Sequence, residues 1–324
     1  MPILDVQDLK TYYSTLRGSV KAVDGVSFQV DKGEALGLAG ESGCGKTTVA
    51  LSLMRILPTG GEILGGKILF EDKDIAILNE GQMKKIRWKS MSIIFQGAMN
   101  ALNPLFRLGD QITEAILTHE KVSKKAAMKR TKKLLELVGL EPKRTKDYPH
   151  ELSGGMRQRG LIAMALACNP QLLIADEPGT ALDVIVQAQV LSLMEELKRK
   201  LNLAMILITH DLSIIADTCD KVAIMYAGKI VECGDVVDIF KKPLHPYTQG
   251  LVGAFPSIKA ARKRISSIPG LPPDLIDPPT GCRFHPRCSF AKDLCKTEDP
   301  LLTKVGKENQ FAACHLVSGK LAQQ

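Results

Sequence analysis

Short apolar stretches and helical periodicities alternate along most of the chain. Residues 26–30 alternate apolar and polar positions and lead through the turn Asp31-Lys32-Gly33 into an apolar run at 34–39, which predicts two consecutive strands. A glycine-rich loop follows, then a predicted helix from about Lys46 to Leu57, closed by Pro58 and Gly60-Gly61. From about Phe106 to Leu152 the period changes. Residues 110–117 and 123–138 have helical spacing, Ser123 is placed as an N-cap, and strand-like runs are missing, which predicts a helical insertion. Strand patterns resume at 91–95 before the insertion and at 172–175, 204–208 and 222–225 after it. The helical stretch 184–201 lies between two of them, as in an α/β fold with parallel strands.

Composition narrows this picture in a few places. With 324 residues, 45% of them hydrophobic, the chain can bury a sizeable core, and 5% aromatic residues lean away from an all-β sandwich. The longest apolar runs, 203–208 and 161–167, fall far short of the roughly 20 residues that span a bilayer. The opening residues MPILDVQDLK lack the basic and apolar regions of a secretory signal, so a cytoplasmic location is expected. The formal charge of +8 fits nucleic acid, anionic lipid or a solvated surface, the last being the ordinary case. After Lys242 prolines crowd together at 243, 246, 256, 269, 272, 273, 278 and 279. A domain boundary is expected there, dividing 1–242 from an appended domain at 243–324.

Chemistry concentrates in three segments. Gly40-Glu41-Ser42-Gly43-Cys44-Gly45-Lys46-Thr47, followed by Thr48, matches the phosphate-loop pattern between a strand and a helix. Glycines there let backbone N–H groups turn toward phosphates, Lys46 reaches the β- and γ-phosphates, and Thr47 offers a hydroxyl to Mg²⁺. The run 172–177 is an apolar strand ending in Asp176 and Glu177. Asp176 is expected to face Mg²⁺, and Glu177 to polarise the attacking water. Leu152-Ser153-Gly154-Gly155-Met156-Arg157-Gln158-Arg159 opens a helix with a serine cap and two glycines, which by itself is an ordinary helix start.

The order phosphate loop, Gln96, LSGG, Asp-Glu strand, Ala181-Leu182-Asp183 and His210 over residues 1 to about 240 resembles the ABC ATPase family. The resemblance implies a P-loop ABC ATPase fold with a mixed-sheet α/β core and a helical subdomain at about 106–165. It also implies composite ATP sites in which Ser153, Gly154 and Gly155 of one subunit close over ATP on the phosphate loop of another. Gln96 would touch Mg²⁺ and the coupling interface, Asp183 would bridge subunits, and His210 would contact the γ-phosphate. Tyr13 is the expected adenine-stacking aromatic, with Tyr12 the alternative. Met156 and Gly179 depart from the commoner family residues without removing a catalytic group. A DNA-repair or chromosome-organising ATPase shares the LSGG motif but inserts a long coiled coil that this chain lacks, so no nucleic-acid partner is expected.

Leu244-His245-Pro246-Tyr247-Thr248-Gln249 and the stretch Phe95-Gln96-Gly97-Ala98-Met99-Asn100-Ala101-Leu102-Asn103-Pro104 resemble ATPase subunits of dipeptide, oligopeptide and nickel importers, most of all the D-type subunit of dipeptide transporters. That resemblance implies a heterodimer with a paralogous F-type ATPase and two transmembrane permease subunits. It further implies an extracytoplasmic peptide-binding protein, with the chain peripheral on the cytoplasmic face of the membrane. Nickel or another small solute is the alternative cargo. Cys282, Cys288, Cys295 and Cys314, spaced C-x₅-C-x₆-C-x₁₈-C, point to one metal centre, Zn²⁺ or iron–sulfur, although the loops are wider than usual for zinc. The importer resemblance shifts the expectation to a [4Fe–4S] cluster on these four thiols, with Zn²⁺ and unligated thiols as the alternatives and His285 and His315 as substitute ligands.

Overall fold

The computed structural model describes residues 1–97, 101–180, 182–254, 268–305 and 309–318. Ala98, Met99, Asn100, Ala181 and Pro256, each part of a motif or cluster named above, lie outside the described residues. In chain order the strands are β1 (Leu4–Thr15), β2 (Gly18–Val30), β3 (Ala35–Ala39), β4 (Gly61–Phe70), β5 (Lys73–Asp74), β6 (Met91–Ile94), β7 (Leu172–Asp176), β8 (Ala204–Ile208), β9 (Lys221–Tyr226), β10 (Lys229–Asp235), β11 (Thr303–Lys304) and β12 (Phe311–Ala312). The α-helices are α1 (Lys46–Met54), α2 (Glu80–Ile86), α3 (Leu108–His119), α4 (Lys124–Leu137), α5 (Gly154–Ala165), α6 (Val184–Leu201), α7 (Leu212–Thr218), α8 (Val236–Lys241), α9 (Pro246–Gly253) and α10 (Asp293–Thr297).

These elements form two compact units. The first comprises Met1–Ile3, Val30–Glu34 and Ile77–Leu207; the second comprises Leu4–Gln29, Ala35–Ala76 and Ile208–Gln324. Within the first unit the strands run in the order β8-β7-β6, with β6 and β7 parallel. β7 and β8 are buried along their whole length, which is why they read as continuous apolar runs rather than alternating ones. The helical insertion is present as α3 and α4. Ser123 accepts a hydrogen bond from the Ala126 N–H and so caps α4 as its sequence position suggests.

The second unit holds an antiparallel sheet, β2-β1-β4-β5, and strands in the order β11-β12-β10-β9-β3. β3 pairs parallel with β9, whereas β10 is antiparallel to β9 and to β12, so the sheet is mixed. β12 comes from the proline-rich extension and hydrogen-bonds directly to β10, at Glu232 and Cys233. α1 is shorter than the expected helix because Arg55 turns into the left-handed region, with φ of 51°, and closes it after Met54.

α3 and α4 meet across a buried pair of hydroxyls, Thr113 Oγ1 and Thr131 Oγ1, 2.9 Å apart. A methionine sulfur, Met128 Sδ, lies 3.9 Å from the Thr113 hydroxyl and is a poor substitute acceptor. Removing one partner strands the other in an apolar surrounding, while removing both leaves a shape-matched apolar contact. Thr131→Val alone is therefore expected to destabilise the chain by about 1–3 kcal/mol. The double variant Thr113→Val/Thr131→Val should recover much of that loss, as measured by urea unfolding.

Candidate nucleotide site

In the second unit the buried strand β3 delivers the chain into the phosphate loop, and α1 leaves it at Lys46. Gly40 and Gly45 have φ of 150° and 106°, and a Cβ at either would run into a backbone carbonyl, that of Met225 or of Ala22. Glycine is required there by both conformation and space. Ser42, Gly43 and Thr47 are exposed, whereas Cys44, Lys46 and Thr48 are buried. The Lys46 ammonium donates to the carbonyls of Gly40, at 2.7 Å, and Glu41, at 3.0 Å, so it lies folded across the mouth of its own loop. Burial raises the Cys44 thiol above its ordinary value, against the opposing charge of Lys46.

The two adjacent tyrosines separate by what they touch. The Tyr12 hydroxyl donates to Asp24 Oδ1 at 2.7 Å, and Asp24 is in turn paired with Arg283. Burial, with the Asp24 carboxylate beside it, pushes the Tyr12 phenol up to about 12. Tyr13 instead has its hydroxyl 3.5 Å from Thr48 Oγ1, at the first turn of α1. His210, on the same unit, is exposed and follows the buried Thr209, whose hydroxyl accepts from the Asp211 N–H.

The first unit carries the acidic cluster. Asp176 is the buried last residue of β7, with 2% exposure. Glu177 follows with φ of 46°, a left-handed conformation that costs a non-glycine residue on the order of 1–3 kcal/mol and recurs at functional sites. Its Oε2 accepts from Gln96 Nε2 and from Thr180 Oγ1, each at 2.9 Å. Gln96 and Glu177 were both expected at the site, and they meet. Thr180 was not foreseen; its only sequence signal was its place three residues beyond the carboxylate.

Ser153 caps α5 by accepting from the Met156 N–H at 3.3 Å, and Asp183 caps α6 by accepting from the Val186 N–H at 3.0 Å. A Cβ on Gly155 would lie 2.7 Å from Val186 Cγ1, so the LSGG turn and the start of α6 touch and require a glycine between them.

Three comparisons with known proteins bear on these features. The family model for ABC transporters matches residues 23–180, and that for the oligopeptide/dipeptide transporter C-terminal region matches 231–295. The oligopeptide transport ATP-binding protein OppD of Bacillus subtilis is 49% identical over 307 residues, covering 94% of this chain and 86% of that protein. The dipeptide transport ATP-binding protein DppD of the same organism is 50% identical over 296 residues, covering 90% and 88%. The chain belongs to the peptide-importer family of ABC transporter ATP-binding subunits. It is accordingly an ATP-hydrolysing enzyme. Its fold matches that of CbiO1 from Clostridium perfringens, with a TM-score of 0.65 at 28% identity over 74% of this chain and 91% of that one. It also matches the dimeric structure of MJ0796, a bacterial ABC transporter cassette, with a TM-score of 0.64 at 24% identity over 72% and 98%.

Two expectations are overturned. The paralogous F-type ATPase partner finds no support, because a solved ABC cassette that this chain resembles, MJ0796, is described as a dimer, also in a post-hydrolysis state bound to ADP and Pi. The [4Fe–4S] cluster, and Zn²⁺ in its place, also fail: among the described residues no group of three or more His, Cys, Asp or Glu side chains is placed to hold a metal ion. Burial pushes the Cys282 thiol up to about 12 and raises Cys288 and Cys314 as well. The proposed substitute ligands are engaged with backbone carbonyls, His285 Nδ1 with Cys282 at 3.0 Å and His315 Nε2 with Glu298 at 2.9 Å. Sequence spacing put the four cysteines in one segment, but spacing does not make a ligand set. No helix among the described residues is long and apolar enough to cross a membrane.

Within the family's C-terminal region, His245 is fully buried. Its Nδ1 accepts from the Tyr247 N–H at 3.0 Å, so the neutral ring is the form that caps α9. Burial pulls its titration down to about 3 from the ordinary 6.5. A depressed folded value means stability that is complete above about pH 6.5 and is lost as the pH falls toward 3. His245→Asn, which keeps an acceptor but cannot titrate, is expected to flatten the fall in unfolding midpoint between pH 6.5 and 4 in denaturant titrations.

Proposed function

We propose that this subunit hydrolyses ATP to drive uptake of dipeptides or oligopeptides, working peripherally at the cytoplasmic face of the membrane. The observation that carries the reading is similarity over nine-tenths or more of the chain to subunits named for oligopeptide and dipeptide transport. The match to the peptide-transporter C-terminal region supports it. Two transmembrane permease subunits would convert the ATPase cycle into movement, and an extracytoplasmic peptide-binding protein would deliver cargo to them.

In this reading each motif has one task. The exposed turn at Ser42 and Gly43 presents backbone N–H groups to the phosphates, with Lys46 swinging from its carbonyl anchors onto the β- and γ-oxygens. Tyr13 stacks on adenine, since Tyr12 is already committed to Asp24. Thr47, Gln96 and Asp176 supply the hard oxygen donors that suit the Mg²⁺ of the nucleotide, and His210 contacts the γ-phosphate. Glu177, oriented by Gln96 and Thr180, takes the proton of the attacking water as it adds to the γ-phosphorus. ADP then leaves with the β–γ bridging oxygen. Ser153, Gly154 and Gly155 at the start of α5, and Asp183 at the start of α6, serve the ATP held by a second cassette.

ATP binding would draw two cassettes together, and hydrolysis with product release would let them part, moving the permease. Replacing Glu177 by Gln retains the hydrogen-bonding outline but not the base. ATP should still bind, while turnover falls by at least about a hundredfold and an ATP-bound dimer accumulates. Turnover equal to wild type in a phosphate-release assay would remove Glu177 from this role. Uptake of radiolabelled peptide by vesicles carrying the complete transporter tests the cargo, and uptake of nickel instead would replace it.

A further inference from the structure

The second residue of the phosphate loop, Glu41, is held at three points within the second unit, and two of them come from the C-terminal extension. Its N–H donates to the Tyr247 hydroxyl at 2.9 Å. Its carboxylate receives both terminal nitrogens of Arg287, at 2.6 and 2.9 Å, in a bidentate pair. Its carbonyl, together with that of Gly40, receives the Lys46 ammonium.

Neither extension residue is loose. The Arg287 side chain is 5% exposed; its Nε donates to the Pro269 carbonyl at 2.8 Å, and its guanidinium lies over the rings of Tyr226 and Phe284. Tyr247 is fully buried, 4.7 Å between ring centroids from Tyr226, and its helix α9 is capped by His245. His245 and Leu244 donate their N–H groups to the buried Glu232 of β10, so α9 is itself pinned to the sheet.

From this we infer that Arg287 and Tyr247 are positioning residues for nucleotide binding, which fix the peptide at 40–41 and through it the starting position of Lys46. The inference rests on the ATPase reading and deepens it. A phosphate cradle works because its N–H groups and its lysine are arranged before the ligand arrives, so a tether that arranges them is felt as affinity. Since the tether acts before chemistry, its loss falls on ground state and transition state alike. KM for Mg·ATP then rises while kcat at saturation is nearly kept. By reciprocity, bound nucleotide strengthens the hold of the loop on the extension.

The full-length chain tests this by Mg·ATP titration, steady-state hydrolysis and amide hydrogen exchange, with folding monitored by thermal melting. Tyr247→Phe removes one hydroxyl and should raise the ATP dissociation constant several-fold. Arg287→Lys keeps the charge but loses the bidentate geometry, and should weaken binding less than Arg287→Ala, for which about tenfold is expected. Adding Arg287→Ala to Glu41→Ala should cost little more than Glu41→Ala alone, because the arginine acts through that carboxylate. Nucleotide should also slow exchange at 282–288 in the wild type and do so less in Arg287→Lys. Wild-type affinity in folded Tyr247→Phe and Arg287→Lys, or fully additive losses in the double variant, would overturn the positioning role while leaving the ATPase reading intact. A wild-type chain that binds no ATP would overturn both.

Discussion

The structure turns on the approach of backbone to backbone at the phosphate loop. Gly40 lies against the Met225 carbonyl and Gly45 against that of Ala22, closer than any side chain permits. This crowding lets a buried strand, β3, reverse into a buried helix, α1, while Ser42 and Gly43 between them remain exposed. The loop's exposed tip then carries only the small Ser42 and Gly43. Three side chains of the second unit are arranged around this turn: Tyr13 near Thr48, Lys46 across the loop carbonyls, and Glu41 facing the extension.

The first unit solves a different problem with equally local means. Ser153 and Asp183 are helix caps before they are anything else, each satisfying a backbone N–H that would otherwise lack a partner at a helix start. The same side chains are the ones the family reading places on a second cassette's ATP. The two roles are compatible because capping fixes the rotamer, and a fixed rotamer is what a composite site needs from a residue supplied across an interface. Glu177 shows the opposite strategy. Its backbone sits in an unfavourable region, and the cost is tolerated where two side-chain donors hold the carboxylate in one direction.

Sequence alone was informative where the physics is local. The strand, glycine turn and helix at 35–54, the capped helix at Ser123 and the apolar strands β7 and β8 all follow from short-range patterns, and all are present. The end of α1 was misplaced by three residues because Arg55, not the proline and glycines beyond it, takes the left-handed turn. The cysteines were misjudged for a related reason. Their spacing suggests one ligand set, but no group of three or more ligating side chains is placed to hold a metal ion among the described residues. Arg287 left no trace at all. It is 246 positions from Glu41, and a lone arginine in a proline-rich segment carries no pattern that distinguishes it from a solvated one.

That the link from extension to loop is ionic rather than apolar has an energetic logic of its own. A buried ion pair contributes little net stability against an apolar alternative, since desolvation offsets most of the attraction, yet breaking one leaves an uncompensated charge at large cost. It therefore enforces a geometry more strongly than it stabilises a fold. Arg283 gives one terminal guanidinium nitrogen to Asp24 of β2 and the other to the Ala227 carbonyl, and that aspartate also accepts from Tyr12, so the extension is bonded to the antiparallel sheet as well as to the phosphate loop. An apolar contact at either place would tolerate sliding by a fraction of an ångström. A bidentate guanidinium on a carboxylate does not, and a phosphate cradle whose lysine hangs on the carbonyls of 40 and 41 is the part of the molecule least able to absorb such sliding.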